Sequence, residues 1–235
     1  MEVEKDYYMK HERENSIVYN MDNMEFMASV PDKFYDLAVV DPPYGLGEKL
    51  TERGGAHKNS PFATLYKDSS RWDILPQEQY WIELFRVSKD QIIFGANYFL
   101  EYLPNTRGFI CWDKVQSMPT FSACELVWTS YDKPSKIIRK QSTDLSRFHP
   151  TQKPIALYDW IYKNYLPNGG KVFDSHLGSQ SNRISAHKRG NIIFDACELD
   201  VDYFNDGNAR YDEFLAKYLP ASIEPITKQG QHKLF

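Results

Sequence analysis

The chain has 235 residues, 42% hydrophobic, 15% aromatic and 26% charged, with a formal net charge of −4. One α/β domain of this length is ordinary and two would fit, with core enough to fold without staples. Cys111, Cys124 and Cys197 are too widely spaced for a disulfide framework or a thiolate zinc site. The acidic balance speaks against a protein that coats polyanions. No apolar run approaches the roughly 20 residues that span a bilayer, and the charged start MEVEKDYYMKHERENS is no secretory signal. A soluble, cytoplasmic protein with no membrane and no metal is expected.

Strand-like runs alternate with amphipathic stretches, as in a doubly wound, mostly parallel α/β sheet with helices on both faces. SIVYN (16–20) reads as a strand and 21–29 as a helix. DLAVVD (36–41) is an apolar strand that stops at Pro42-Pro43, because proline cannot donate to a ladder. A Gly- and Ser-bearing loop runs to about residue 72. PQEQYWIELFRVS (76–88) opens on proline and repeats apolar residues at helical spacing. QIIFG (91–95), GFICW (108–112) and CELVWTS (124–130) read as strands, and PIALYDWIYKNYL (154–166) as a helix. KVFD (171–174) is a strand, SNRISAHKR (181–189) a helix, NIIFDACE (191–198) a strand, and 200–219 the last helix. With no internal repeat or low-complexity tract, residues 1–220 are expected to form one domain, followed by a flexible polar tail, 221–235.

Charge is unevenly spread. Residues 45–72 hold five basic side chains, including Lys49, Arg53 and Lys58, against three acidic. Residues 131–148 hold five, including Lys133, Lys136, Arg139 and Lys140, against two. Two basic segments on an acidic body suit an enzyme that grips nucleic acid locally. Two solvated loops would look the same.

Two constellations carry chemistry. Asp41-Pro42-Pro43-Tyr44 stands where an apolar strand breaks into a loop, the end of an open sheet at which ligands bind. A carboxylate, a carbonyl stiffened by two prolines and an aromatic ring would offer acceptors and a stacking plate to a planar, amino-bearing base. The plainer reading is a rigid turn closing a strand. Downstream, residues 172–181 (VFDSHLGSQS) read as a strand, a Gly- and Ser-bearing turn and a helix start, where a ligand can approach backbone amides. Glu198 ends the next strand about 20 residues on, the spacing at which an acidic residue commonly binds ribose hydroxyls.

The order DPPY, His149-Pro150-Thr151-Gln152-Lys153-Pro154, D-x-H-L-G-S and C-E-L-D-x-D-Y-F resembles the β group of S-adenosylmethionine-dependent DNA amino methyltransferases, whose catalytic motif precedes the cofactor motif. Trp112-Asp113-Lys114, Phe121-Ser122 and Glu125-Leu126 resemble the same enzymes, and the likeness runs from about Asp22 to Phe214. It implies a Rossmann-like methyltransferase fold with permuted motif order. The implied activity is methyl transfer to adenine N6 of DNA, as in restriction-modification. By this resemblance Asp41 and the Pro42 carbonyl accept hydrogen bonds from the target amino group and localise its lone pair. Pro43 keeps the turn rigid, and Tyr44 stacks on a base flipped from the duplex. Transfer is direct and in line, without an enzyme nucleophile. Glu198 would bind the cofactor ribose and Asp22 its adenine amino group. Thr151, Gln152 and Lys153 would hold the methionine end, and Asp174, His176, Gly178, Ser179 and Gln180 would shape or contact the cofactor turn.

The turn departs from the family's D-P-F-x-G-S-G-T, with His176 in place of phenylalanine and Gln180 where a second glycine is expected. A positive φ there would strain glutamine by about 1–2 kcal/mol, and its side chain would crowd the cofactor or contact it. An aspartate leading the motif favours adenine N6 over cytosine N4 in this family. Only about 18 residues separate CELVWTS from His149, too few for an independent recognition domain. The two basic segments are then the DNA-contacting candidates, serving a short site, loose specificity, or recognition shared across a homodimer. The last residues, Gln231, Leu234 and Phe235 in QHKLF, resemble the Q-x-x-L-F peptide that docks on the bacterial sliding clamp. Packing of Leu234 and Phe235 on their own domain is the alternative. A catalytically silent nucleic-acid-binding subunit, an RNA adenine methyltransferase and a cytosine-N4 enzyme also remain as readings.

Overall fold

The computed structural model describes residues 8–47, 73–116, 122–141 and 147–218. Lys49, Arg53, Lys58 and the tail residues Gln231, Leu234 and Phe235 lie outside them, as do most of the first basic segment and Phe121.

The described strands are β1 (Met9–Arg13), β2 (Ser16–Asn20), β3 (Tyr35–Val40), β4 (Ser88–Phe94), β5 (Phe109–Asp113), β6 (Cys124–Thr129), β7 (Lys136–Arg139), β8 (Gly170–Asp174) and β9 (Ile192–Cys197). The helices are α1 (Asn23–Ala28), α2 (Glu78–Val87), α3 (Ile155–Tyr165), α4 (Ser181–Arg189) and α5 (Val201–Tyr218). All nine strands join one sheet in the order β1-β2-β9-β8-β3-β4-β6-β5-β7. The run from β2 to β4 is parallel, while β1 and β6 pair antiparallel with their neighbours.

The central strands are apolar throughout because both faces are covered. In β3, Leu37 and Val39 point into a core shared with α3, α4 and α5, and Ala38 and Val40 into one shared with α1 and α2, the two-residue alternation of a strand. The sequence places α1 over 21–29; it is shorter because Asp22 caps it, accepting from Met24 N at 2.7 Å and Glu25 N at 3.3 Å. From α2, Arg86 reaches back to the carbonyls of Met27 (2.6 Å) and Val30 (2.7 Å) and locks the two helices together.

Two strands were not expected. MKHER in β1 is exposed or half-buried throughout, and KIIR in β7 buries only Ile138. Both lie at the sheet's ends, where neither face needs an apolar stripe. Among the described residues, no helix is long and apolar enough to cross a membrane.

Candidate active site

Connections leave the neighbouring strands β3 and β8 toward opposite faces: β3 leads to α2 on one face, β8 to α4 on the other. Their following loops therefore part at the carboxyl ends of the strands and leave a crevice between them. A cavity of about 520 Å³ fills that crevice, a volume suited to a cofactor-sized ligand. Its walls are residues 41–44 after β3, 175–179 after β8, 198–200 after β9, 21–23 after β2, and 149 and 151–153 before α3, together with Asp73 and Ile74. Twelve expected site residues thus come together: Asp22, Asp41, Pro42, Pro43, Tyr44, Thr151, Gln152, Lys153, His176, Gly178, Ser179 and Glu198.

At one end lies a cluster of charges. Lys153 Nζ bonds Asp41 Oδ2 and stands 3.3 Å from Glu125 Oε1. The Tyr44 hydroxyl lies 2.7 Å from Asp41 Oδ1 and 2.8 Å from Glu125 Oε1, and Lys114 Nζ meets Glu125 Oε2 at 2.7 Å. Burial pushes the Asp41 carboxyl above its usual range, with Lys153 opposing. Burial acts the same way on Glu125, but Lys153 and Lys114 outweigh it and hold that carboxyl below its usual range. Lys153 stays charged because the two carboxylates outweigh the penalty of burying it. Its ammonium group faces these two carboxylates at the edge of the cavity. One face of the Tyr44 ring stacks on Tyr98, with centroids 4.8 Å apart and planes 14° apart. Gly95 makes room for that ring: its φ is +67°, and a Cβ there would lie 2.2 Å from Tyr44 Cε1. Beyond the motif, Asp73 accepts from Gly45 N (3.0 Å) and Gly47 N (2.7 Å) and fixes the loop.

The other end is built on backbone amides. Glu198 Oε2 accepts from Gly178 N at 2.7 Å and Oε1 from Asp200 N at 2.9 Å, so the carboxylate pins the glycine turn to the end of β9. Burial pushes it up to about 7 despite those bonds. His176 is neutral, held down to about 4 by burial, and its ring nitrogens contact Ser175 Oγ (2.8 Å) and Asn23 Nδ2 (3.1 Å). His149, held near 3 by burial and then by Lys153, packs on Gly178 and on Tyr203, with ring centroids 4.3 Å apart.

Two expected cofactor residues do not face the cavity. Asp174 lies beneath it, bonded to Asn182 Nδ2 (2.8 Å) and His176 N (3.1 Å), and burial raises its carboxyl to about 7. Gln180 does adopt positive φ, 61°, but its side chain turns toward α5, where Nε2 donates to Asn208 Oδ1 (2.8 Å) and Oε1 accepts from Arg183 (3.1 Å). It neither crowds nor lines the cavity. The basic segment 131–148 is likewise divided. Lys133 donates to the Asn164 carbonyl (3.0 Å) and lies about 5 Å over the rings of Tyr131 and Tyr165, a structural cage. Strand β7 runs parallel to β4, so Lys136 starts it at the end remote from Asp41, whereas Arg139 finishes it, and Lys140 follows, at the same end as Asp41.

Sequence reasoning passed over Glu125, His149, Asp73 and Tyr203 as site residues. Glu125 left a signal: in CELVWT it falls on the buried face with Val127, while Leu126 faces outward, a carboxylate on the core side of a strand.

No protein-family model matches the chain. The type II methyltransferase M.ScaI of Streptomyces caespitosus is 22% identical over 258 residues, spanning 86% of this chain and 82% of its own. Among solved structures, the PvuII DNA methyltransferase (cytosine-N4-specific) superposes with a TM-score of 0.57 at 12% identity, covering 87% of this chain and 92% of its own. The M1.HpyAVI–SAM complex gives 0.53 at 17% identity (82% and 98%). TTHA0409 of Thermus thermophilus, complexed with S-adenosyl-L-methionine, gives 0.52 at 15% (82% and 91%). The fold is the mostly parallel, Rossmann-like sheet of these methyltransferase structures.

Proposed function

We propose that the chain is an S-adenosylmethionine-dependent DNA methyltransferase of the restriction-modification kind, acting on the N6 amino group of adenine. The observation that carries this reading is one cavity with hydrogen-bond acceptors for an amino group at Asp41 and Pro42, and an amide-held carboxylate, Glu198, at its other end. The donor set fits the cofactor. Glu198 retains lone pairs for ribose hydroxyls, and the cavity has apolar wall at Leu177 and Leu199 and polar groups at Asp22, Asn23 and Thr151. When bound, S-adenosylmethionine supplies an electrophilic methyl group on a sulfonium sulfur. The protein's part is positional. Asp41 and the Pro42 carbonyl draw hydrogen bonds from the target amino group, which concentrates the nitrogen lone pair and orients it. Lys153 opposes the effect of burial on Asp41 and so favours its ionised, accepting form, and the Tyr44 ring walls the acceptor end for a base whose flipping costs a few kcal/mol. Arg139, which also pairs with Asp113 at 3.1 Å, and Lys140 are the candidates for contacting DNA that this reading favours. Gln180 turns toward Asn208 and Arg183, which weighs against the silent-subunit reading. The likeness to a cytosine-N4 enzyme supports one second reading, the same chemistry on cytosine N4.

The test is transfer of tritiated methyl from S-adenosylmethionine to unmethylated DNA, with RNA in parallel and products identified as nucleosides by mass spectrometry. N6-methyladenine in DNA is expected, falling at least about a hundredfold in Asp41→Ala. N4-methylcytosine would establish the second reading. No transfer to either nucleic acid from folded protein would overturn both.

A further inference from the structure

The Tyr44 hydroxyl bridges two carboxylates, at 2.7 Å from Asp41 and 2.8 Å from Glu125. A phenol carries one hydrogen, so this chain of two oxygen–oxygen contacts holds one proton and has room for another. Asp41 forms the cavity end. Glu125 forms the far end, where Lys114, partly exposed, holds its second oxygen. Lys153 faces both carboxylates. Among the described residues, Asp174 and the phenols of Tyr80 and Tyr158 also interact electrostatically with Asp41. Two carboxylates against two ammonium groups leave the cluster neutral, so an incoming proton meets no net positive charge.

Amino methylation releases such a proton. The nitrogen lone pair forms the N–C bond, sulfur keeps the electron pair of the broken C–S bond, and one of the two amino hydrogens departs as a proton. We infer that Asp41, Tyr44 and Glu125 form a single proton-accepting unit. Asp41 takes the proton and donates it to the Tyr44 oxygen, while the Tyr44 hydrogen turns wholly to Glu125. Glu125 is thus a positioning residue acting through Tyr44, and Lys114 anchors it. This role rests on the methyl transfer proposed above.

Infrared titration of the unliganded protein tests the unit apart from the reaction. The Asp41 signal is the protonated-carboxyl band lost in Asp41→Asn. Its midpoint is expected above the ordinary aspartate value. Glu125→Gln should lower it by about one pH unit or more, because a neighbouring negative charge is removed. Lys114→Met, a change at a partly exposed side chain that spares the core, should raise it. In single-turnover methyl transfer the acid limb of the pH–rate profile should move the same way in each variant, with S-adenosylmethionine affinity unchanged. Midpoints unmoved in both variants would overturn the unit, whatever the wild-type protein does with DNA. Shifted midpoints in a wild-type background that transfers no methyl group would keep the unit and overturn the methyltransferase reading.

Discussion

Glu198 is a single carboxylate that both fixes a turn and lines the cavity. Its two amide bonds fix the glycine turn, and burial raises its carboxyl to about 7. Between the ordinary glutamate range and pH 7 the folded protein holds a proton that the unfolded chain has lost. The unliganded protein therefore loses stability from this group as pH rises through that window. Ligand binding runs the other way, since ribose hydroxyls donate to an ionised carboxylate. Affinity for S-adenosylmethionine should rise with pH and be about tenfold weaker at pH 6 than at pH 8. Calorimetric titration across that range should show the slope in the wild type and a flat profile in Glu198→Gln. A flat wild-type profile would remove Glu198 from the binding reaction.

Among the elements, the junction of α4 with α5 explains the departure at residue 180. A glutamine held at φ 61° carries strain of about 1–2 kcal/mol, offset by hydrogen bonds to Asn208 and to the buried Arg183 guanidinium. Gly207 on α5 gives it space, since a Cβ there would lie 2.7 Å from Gln180 Cγ. Gln180→Gly should cost about 1–2 kcal/mol in urea unfolding while leaving cofactor affinity unchanged, and Gly207→Ala should cost about the same by overpacking. The double variant should recover at least about 1 kcal/mol of the sum; strictly additive losses would show that the two residues do not compete for the same space. The strain itself was legible from the missing glycine, but the direction of the side chain was not, because it depends on a residue 27 positions away in the chain. Elements buried on both faces, such as β3, were legible for the opposite reason: their apolarity is continuous. End strands β1 and β7 carry no such mark. In the site, the DPPY stretch was legible as a motif, whereas the pairing of Lys153 with Asp41 arises only from the crossover that lays residues 149–153 over the end of β3.

For the whole molecule, sheet polarity sorts the basic residues more sharply than charge counting does. Among the described strands, β3, β4, β5 and β7 all present their carboxyl ends on the rim that carries Asp41. Arg139→Ala with Lys140→Ala should weaken DNA binding and flatten the dependence of log affinity on log salt by up to about two units. Lys136→Ala, at the far end, should change neither. Equal effects from the two ends would place DNA across the sheet and not along its rim.

The pairing of Ser16 with Phe194 and Tyr19 with Cys197 has a consequence for how the protein is made. Strand β2 leaves the ribosome well ahead of its partner, which follows more than 170 residues later, roughly ten seconds or more at ordinary synthesis rates. Asp41 likewise waits for Lys153, and the glycine turn for Glu198. Such long-range closure slows folding and keeps the nascent chain without a complete cavity until β9 has joined. Truncated products that lack β9 are thus expected to lack the complete cavity and to bind no ligand in it.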